Sequence, residues 1–264
     1  MRLSLGTMQI GGELSKFESF KILDHYFFSG NFKFDTAPMY PVPASKENFN
    51  LSEEILGKWI NSLCERDKSK IKLSTKFPNY SKKLNYLRKN NDTVISHKEL
   101  KQSLLNSLKK LNLDQIETFF IHWPSREINN FGKSFYQSKG DENILCSSLE
   151  ETYSNLFLLA NEGFCKNIGI SNESPIGLHC LSKVAEKHKI IPKIKGVFVA
   201  SEVLTKADSD FISSIFKCPV YNHYGLADVS VMMGSCGKGK NYMHLYQDYG
   251  YVELLKDPKQ IFWL

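Results

Sequence analysis

The chain has very little arginine. Of 34 basic residues only Arg2, Arg66, Arg88 and Arg126 are not lysine, although the formal net charge is +6 over 264 residues. Lysine-rich stretches such as Lys82–Asn91 carry no interleaved aromatic platform, so they read as solvated helix or loop surface rather than a nucleic-acid patch. A modest attraction for anionic small molecules is what such a charge still allows. Long apolar runs are missing too: none reaches the roughly 18 residues of a membrane-spanning helix. The opening MRLSLGTM has no apolar signal core and turns at once into a strand pattern, which makes the cytoplasm the expected location. The six cysteines, Cys64, Cys146, Cys165, Cys180, Cys218 and Cys236, form no CxxC pair. They suit reduced thiols rather than a disulfide framework and signal no metal site. The apolar share, 42%, is that of an ordinary globular chain, and the length permits one barrel or two smaller domains.

What is present is a series of short apolar, β-branched or aromatic runs that end on ionisable residues. Asn31–Asp35, Ile71–Lys76 and Thr118–His122 read as buried strands finishing on Asp35, Lys76 and His122. Tyr40 follows Asp35 in the string FDTAPMYP. A parallel α/β barrel keeps its chemistry at this end of its strands. An acid, a tyrosine, a lysine and a histidine are sufficient for carbonyl reduction. When hydride reaches a carbonyl carbon, the oxygen gains charge and needs a proton, which a phenol of ordinary pKa (about 10) releases slowly at neutral pH. A neighbouring ammonium is expected to pull that pKa down. Asp35 would hold Lys76 charged and oriented, His122 would hydrogen-bond the carbonyl oxygen, and Tyr40 would donate the proton. A solvated rim or capping role is the alternative for each residue taken singly.

Helical spacing fills the intervals. Ser15–Ser29 repeats apolar residues through Phe17, Phe20, Leu23, Tyr26 and Phe27, and Gly30 can end it. Ser52–Cys64 does so through Ile55, Leu56, Trp59 and Ile60. Ser96 with Glu99 and Ser148 with Glu151 are capping boxes, the first opening a stripe of Leu100, Leu104, Leu108 and Leu111. The order is βα repeated five times, with a further helix over Pro175–Lys189. The long polar connection Ser125–Ser147 leaves the fourth strand where substrate would sit and suits a lid. Its Phe131, Phe135 and Tyr136, with Trp123, could wall a substrate or simply anchor the loop.

With these residues in order, the chain resembles the aldo/keto reductase family over residues 1–193, and within it the bacterial Tas-like branch. LGTMQIGG at Leu5–Gly12 looks like the family's first strand and GFCKNIGISN at Gly163–Asn172 like its fifth, while MYPVP at Met39–Pro43, HWP at His122–Pro124 and FGK at Phe131–Lys133 match the branch. The resemblance implies a (β/α)8 TIM barrel, NADP as cofactor and a small-molecule carbonyl as substrate. It also implies that Ser171 and Asn172 hydrogen-bond the nicotinamide carboxamide, and that Gly6, Thr7 and Met8 line the nicotinamide face.

From about Ile194 the pattern changes and resembles a fragment of the adenylate-forming enzymes of the phenylacetate–coenzyme A ligase and capsular-polysaccharide type. The matching segments are Val197–Glu202, Pro219–Tyr221, Tyr224–Asp228, Cys236–Gly239 and His244–Glu253. That resemblance would put Tyr224 against adenine and Asp228 on the phosphate or magnesium side, but it comes without the family's phosphate loop or catalytic lysine. Cys218, Cys236 and His244 are too dispersed for a metal set. The fold expected is therefore α/β: the N-terminal part of a barrel, incomplete, followed at residues 194–264 by an α+β fragment with an antiparallel hairpin around Gln247–Gly250. Without the loops after strands seven and eight, the cofactor's phosphates lose their usual anchor. An impaired reductase, a non-catalytic fusion remnant and a ligase-related nucleotide-binding fragment are the three resulting readings.

Overall fold

In the computed structural model of the chain, the structure describes residues 4–78, 86–88, 94–125, 147–173, 175–189, 194, 196–200, 204–225, 232–235 and 243–246. The connection at 126–146 with Phe131, Phe135, Tyr136 and Cys146, most of Lys82–Asn91, Asp228, Cys236 and the turn Gln247–Gly250 lie outside them. The described residues form two compact units, one reaching to Glu173 and the other beginning at Pro175.

The first unit alternates strand and helix: β1 (Leu5–Gly6), α1 (Lys16–Phe28), β2 (Lys33–Asp35), α2 (Leu51–Ser62), a helical turn α3 (Glu65–Lys68), β3 (Lys72–Phe77), α4 (His97–Leu111), β4 (Ile116–Ile121), α5 (Leu149–Asn161) and β5 (Cys165–Ile170). The strands lie side by side in chain order, every pair parallel. That arrangement needs a crossover between successive strands, which the helices supply. All five strands therefore end at one edge of the sheet.

Serine caps set where the helices start. Ser15 with Glu18, Ser96 with Glu99 and Ser148 with Glu151 each complete a reciprocal capping box, worth about 0.5–2 kcal/mol apiece. The leucine stripe of α4 and the Ile55, Leu56, Trp59 and Ile60 face of α2 are buried, with Phe34, Leu73 and Phe119 from the sheet. Trp59 is wholly enclosed and its indole nitrogen still donates to Asp24 Oδ1 at 2.8 Å. On α1 only part of the expected face is inside. Leu23 and Phe27 are buried, whereas Phe17 is exposed with Lys21 Nζ 4.3 Å from its ring centroid. At 100° per residue, Phe17 stands about 120° from Leu23, off the edge of the face.

The second unit holds α6 (Pro175–His188), β6 (Val197–Ala200), α7 (Lys206–Phe216), β7 (Val220–Gly225), β8 (Met232–Gly234) and β9 (His244–Leu245). Helix α6 packs on α7, where His179 stacks on Phe211 with centroids 4.3 Å apart. Strand β6 pairs parallel with β7, and β8 then pairs antiparallel with both β7 and β9. Antiparallel pairing is present, but in β7–β8 and β8–β9; the expected turn at Gln247–Gly250 falls outside the described residues.

Helices α2 and α4 meet at Gly57, where a Cβ would fall on the Lys110 carbonyl oxygen. Gly57→Ala is expected to lower unfolding stability by about 1–3 kcal/mol, because helix backbone rather than a flexible side chain must move. Urea denaturation measures it, and an unchanged midpoint would show that the two helices are not so closely held.

Candidate functional site

The parallel ladder continues past the strand ends and sets the site residues in a row. Thr7 N donates to Asp35 O at 3.0 Å, Thr36 N to Ser74 O at 2.9 Å, His122 N to Phe77 O at 3.1 Å and Ser171 N to Ile121 O at 2.9 Å. Gly6 pairs with Asp35 in register, Lys76 is the second-last residue of β3, and His122 and Ser171 stand one residue beyond β4 and β5. Four neighbouring strands thus deliver their polar residues to the same edge.

Lys76 is the centre of this edge. It is 6% exposed, and its Nζ donates to Asp35 Oδ2 at 2.6 Å and Thr36 O at 2.8 Å, with the Tyr40 hydroxyl at 3.5 Å. An ammonium has three donors, and here each has a direction to go. Burial lowers the Lys76 pKa, while the charge and hydrogen bond of Asp35 work to raise it. Tyr40 arrives from a turn in which its N–H donates to Ala37 O at 3.0 Å. Its ring meets that of His122 edge to face, centroids 5.8 Å apart.

The tyrosine's electrostatics differ from the expectation. Its pKa is raised, first by burial and then by the negative charge of Asp35. The ammonium does not reverse this, because Lys76 is closely paired with Asp35 and sits a long 3.5 Å from the phenol. His122 is pushed down to about 3, by burial and then by the Lys76 charge. Its imidazole is neutral at physiological pH, a state that can donate one N–H to an uncharged oxygen.

Gly6 and Thr7 lie at the end of β1 beside Asp35, and Met8, next along, is 47% exposed. Ser171 Oγ and Asn172 Nδ2 both donate to the His122 carbonyl oxygen, at 3.3 and 2.7 Å. Asn172 holds φ at +56°, a left-handed conformation that asparagine tolerates better than most residues. A hydroxyl and an amide are the donor and acceptor types that a carboxamide matches. Trp123 stacks on His122 with centroids 6.0 Å apart. Two contributors are absent from the sequence reading: the Thr36 carbonyl, which takes one Lys76 donor, and Glu53, a fully buried acid whose Oε1 accepts from Thr75 Oγ1 at 2.7 Å. No side-chain pattern could reveal the carbonyl. Glu53 was legible, since it lies three and seven residues before Leu56 and Ile60 and so shares their inward face.

The family model described as Aldo/keto reductase family matches residues 2–203. The match takes in β6, beyond the limit at 193 that the motifs suggested. Protein tas of Escherichia coli is 32% identical over 194 residues, covering 73% of this chain and 54% of the relative. The aldo-keto reductase YhdN of Bacillus subtilis is 28% identical over 195 residues, 72% of this chain and 49% of the relative. The chain thus spans about half the length of these curated relatives. A crystal structure of the thermostable aldo-keto reductase Tm1743 with the inhibitor epalrestat aligns at TM-score 0.48 and 24% identity, over 71% of this chain and 54% of that one.

The depressed His122 pKa ties stability to pH. The unfolded imidazole takes up a proton below about 6.5, the folded one only near 3, so the unfolded state binds more protons in between. The His122 contribution is complete above about pH 6.5 and is lost as pH falls through that window. Wild type and His122→Gln compared by denaturation between about pH 7 and pH 5 should show wild type losing stability faster on acidification. Parallel profiles would contradict the burial of a neutral imidazole.

Proposed function

Because the chain belongs to the aldo/keto reductase family, we propose that it is an NADP-dependent oxidoreductase that reduces a small-molecule carbonyl, with Tyr40, Lys76, Asp35 and His122 as its catalytic residues. The observation that carries this is the buried Lys76 ammonium held between the Asp35 carboxylate and the Tyr40 hydroxyl. A bound nicotinamide dinucleotide supplies the hydride. The protein's own residues do the rest. His122, neutral, hydrogen-bonds the substrate oxygen and orients the carbonyl. Tyr40 transfers its proton to that oxygen as the carbon is reduced, and Lys76 offsets the charge left on the phenolate. The raised Tyr40 pKa keeps the phenol protonated before reaction but works against its release of the proton, so the charge of Lys76 must act on the phenolate as it forms. Asp35 keeps Lys76 charged in a place where burial works against it. Ser171 and Asn172 would turn from the His122 carbonyl to the carboxamide, and Gly6, Thr7 and Met8 would line the other side of the ring.

The same reading makes this reductase a weakened one. Strands that continue a parallel barrel must run parallel, whereas β8 is antiparallel to both its neighbours. A second reading, a non-catalytic fusion remnant, is favoured by that topology. The adenylate-forming likeness of residues 194–264 is a separate proposal: its Tyr224 lies in β7, its Asp228 outside the described residues, and β6 falls inside the reductase match. Among the described residues no helix is long and apolar enough to cross a membrane. The described cysteines Cys64, Cys165, Cys180 and Cys218 are free thiols, which suits the cytoplasm.

Two measurements test this function. Turnover of NADPH with a panel of aldehydes and ketones should fall about 10²–10⁴-fold in Tyr40→Phe; equal rates in the two proteins would remove Tyr40 as the proton donor. Fluorescence titration should show NADPH binding at least about a hundredfold weaker than in a reductase that has both phosphate contacts, since two charge-assisted contacts of about 1.5–3 kcal/mol each amount to that. Micromolar or tighter binding would contradict the weakened site, and no binding at all would favour the remnant.

A further inference from the structure

Directly behind the catalytic edge lies a buried acid that the proposed chemistry does not use. Glu53 is 0% exposed, enclosed by α2, its own element, together with β3 and α4. Its Oε1 accepts from Thr75 Oγ1 at 2.7 Å, and the Ser107 hydroxyl of α4 lies near the carboxyl. Burial raises its pKa, against the hydroxyls of Thr75 and Ser107 and the ammonium groups of Lys110 and Lys76. An acid so placed is expensive to keep, and an apolar residue of similar shape would be easier to bury. Such a residue, however, would leave the buried Thr75 hydroxyl without its acceptor.

Thr75 immediately precedes Lys76, and successive side chains of a strand point to opposite faces. Thr75 reaches back to α2 while Lys76 reaches forward to the site. Thr75 also pairs with Phe119 of β4, so β3 is held at this residue by the sheet on one side and by Glu53 on the other. The Lys76 contacts have little slack: Nζ is 2.6 Å from Asp35, 2.8 Å from Thr36 O and already 3.5 Å from the Tyr40 hydroxyl. A displacement of about half an ångström is enough to spoil such geometry.

We propose that Glu53 is a positioning residue: its hydrogen bond to Thr75 fixes the end of β3, and so holds the Lys76 ammonium between Asp35 and Tyr40. Glu53 touches neither substrate nor cofactor. The inference rests on the reductase reading for what Lys76 does, but its test needs no turnover.

The full chain, carrying lysine labelled with ¹³C at Cε, is titrated by NMR, with the Lys76 signal assigned through Lys76→Arg. The variants are Glu53→Gln, Glu53→Leu and Thr75→Val, each checked for folding by near-ultraviolet circular dichroism. Gln keeps an acceptor oxygen for Thr75 but loses the carboxylate, so its Lys76 signal position should match wild type while any fall in its midpoint reports the lost charge alone; Leu is compared with Gln, and Thr75→Val keeps the carboxylate. In Glu53→Leu and Thr75→Val the signal should move and the midpoint should fall, because the ammonium loses its close pairing with Asp35. A general loss of packing would lower thermal stability without singling out Lys76. If Glu53→Leu fails to fold, Thr75→Val decides alone. Folded Thr75→Val with an unmoved Lys76 signal would overturn the proposal, and so would a Glu53→Gln signal displaced as far as that of Thr75→Val. A wild-type chain that reduces no carbonyl would sink the proposed function and leave this result standing.

Discussion

A buried ammonium is the constraint on which the site depends. Lys76 is taken almost wholly out of water, which favours loss of its proton, and Asp35 2.6 Å away opposes that loss. Neither residue would be well placed without the other: a lysine alone at this depth would be driven toward neutrality, and an aspartate alone would leave the phenol beside it facing an uncompensated negative charge. The pair also accounts for its neighbours. The negative charge of Asp35 adds to burial in raising Tyr40, and the positive charge of Lys76 adds to burial in lowering His122. Both groups therefore rest in their neutral forms.

Parallel topology delivers these groups together. Asp35, Lys76, His122 and Ser171 come from four adjacent strands, and because those strands are hydrogen-bonded in chain order no long-range threading is needed. Behind them the cover is as closely fitted as the front. Gly57 lets α2 approach α4, Trp59 fills the space beneath β2, and Glu53 reaches Thr75 on β3. The layer that closes the core is also the layer that holds the strand ends, so a change in α2 is felt at the site without touching it.

Much of this was legible in the residues. The strand ends at Asp35, Lys76 and His122 stand out because an ionisable side chain directly after an apolar run must reach water or find a partner at the sheet edge. The boxes at Ser96 and Ser148 mark helix starts through local chemistry alone. What escaped was of two kinds. Phe17 reads as part of the inner face of α1 because its spacing is right, yet its angle puts it outside, against Lys21. The direction of the Tyr40 shift could not be read from the presence of a lysine, since it depends on distances: 2.6 Å from Lys76 to Asp35 against 3.5 Å to Tyr40. Pairing partners in the second unit are likewise set by register, which the aromatic-rich tail does not encode in a simple alternation.

The central claim is that Asp35 and Lys76 act as one charged pair, and a double-mutant cycle measures this most directly. Unfolding free energies of wild type, Asp35→Asn, Lys76→Met and the double variant, taken at neutral pH, yield the coupling between the two side chains. Because the Asp35 side chain is 34% exposed, solvent screens part of the interaction, and a coupling of about 1–3 kcal/mol is predicted. A coupling near zero would mean that the ammonium is not held by the carboxylate, and the account of the site built on it would fail.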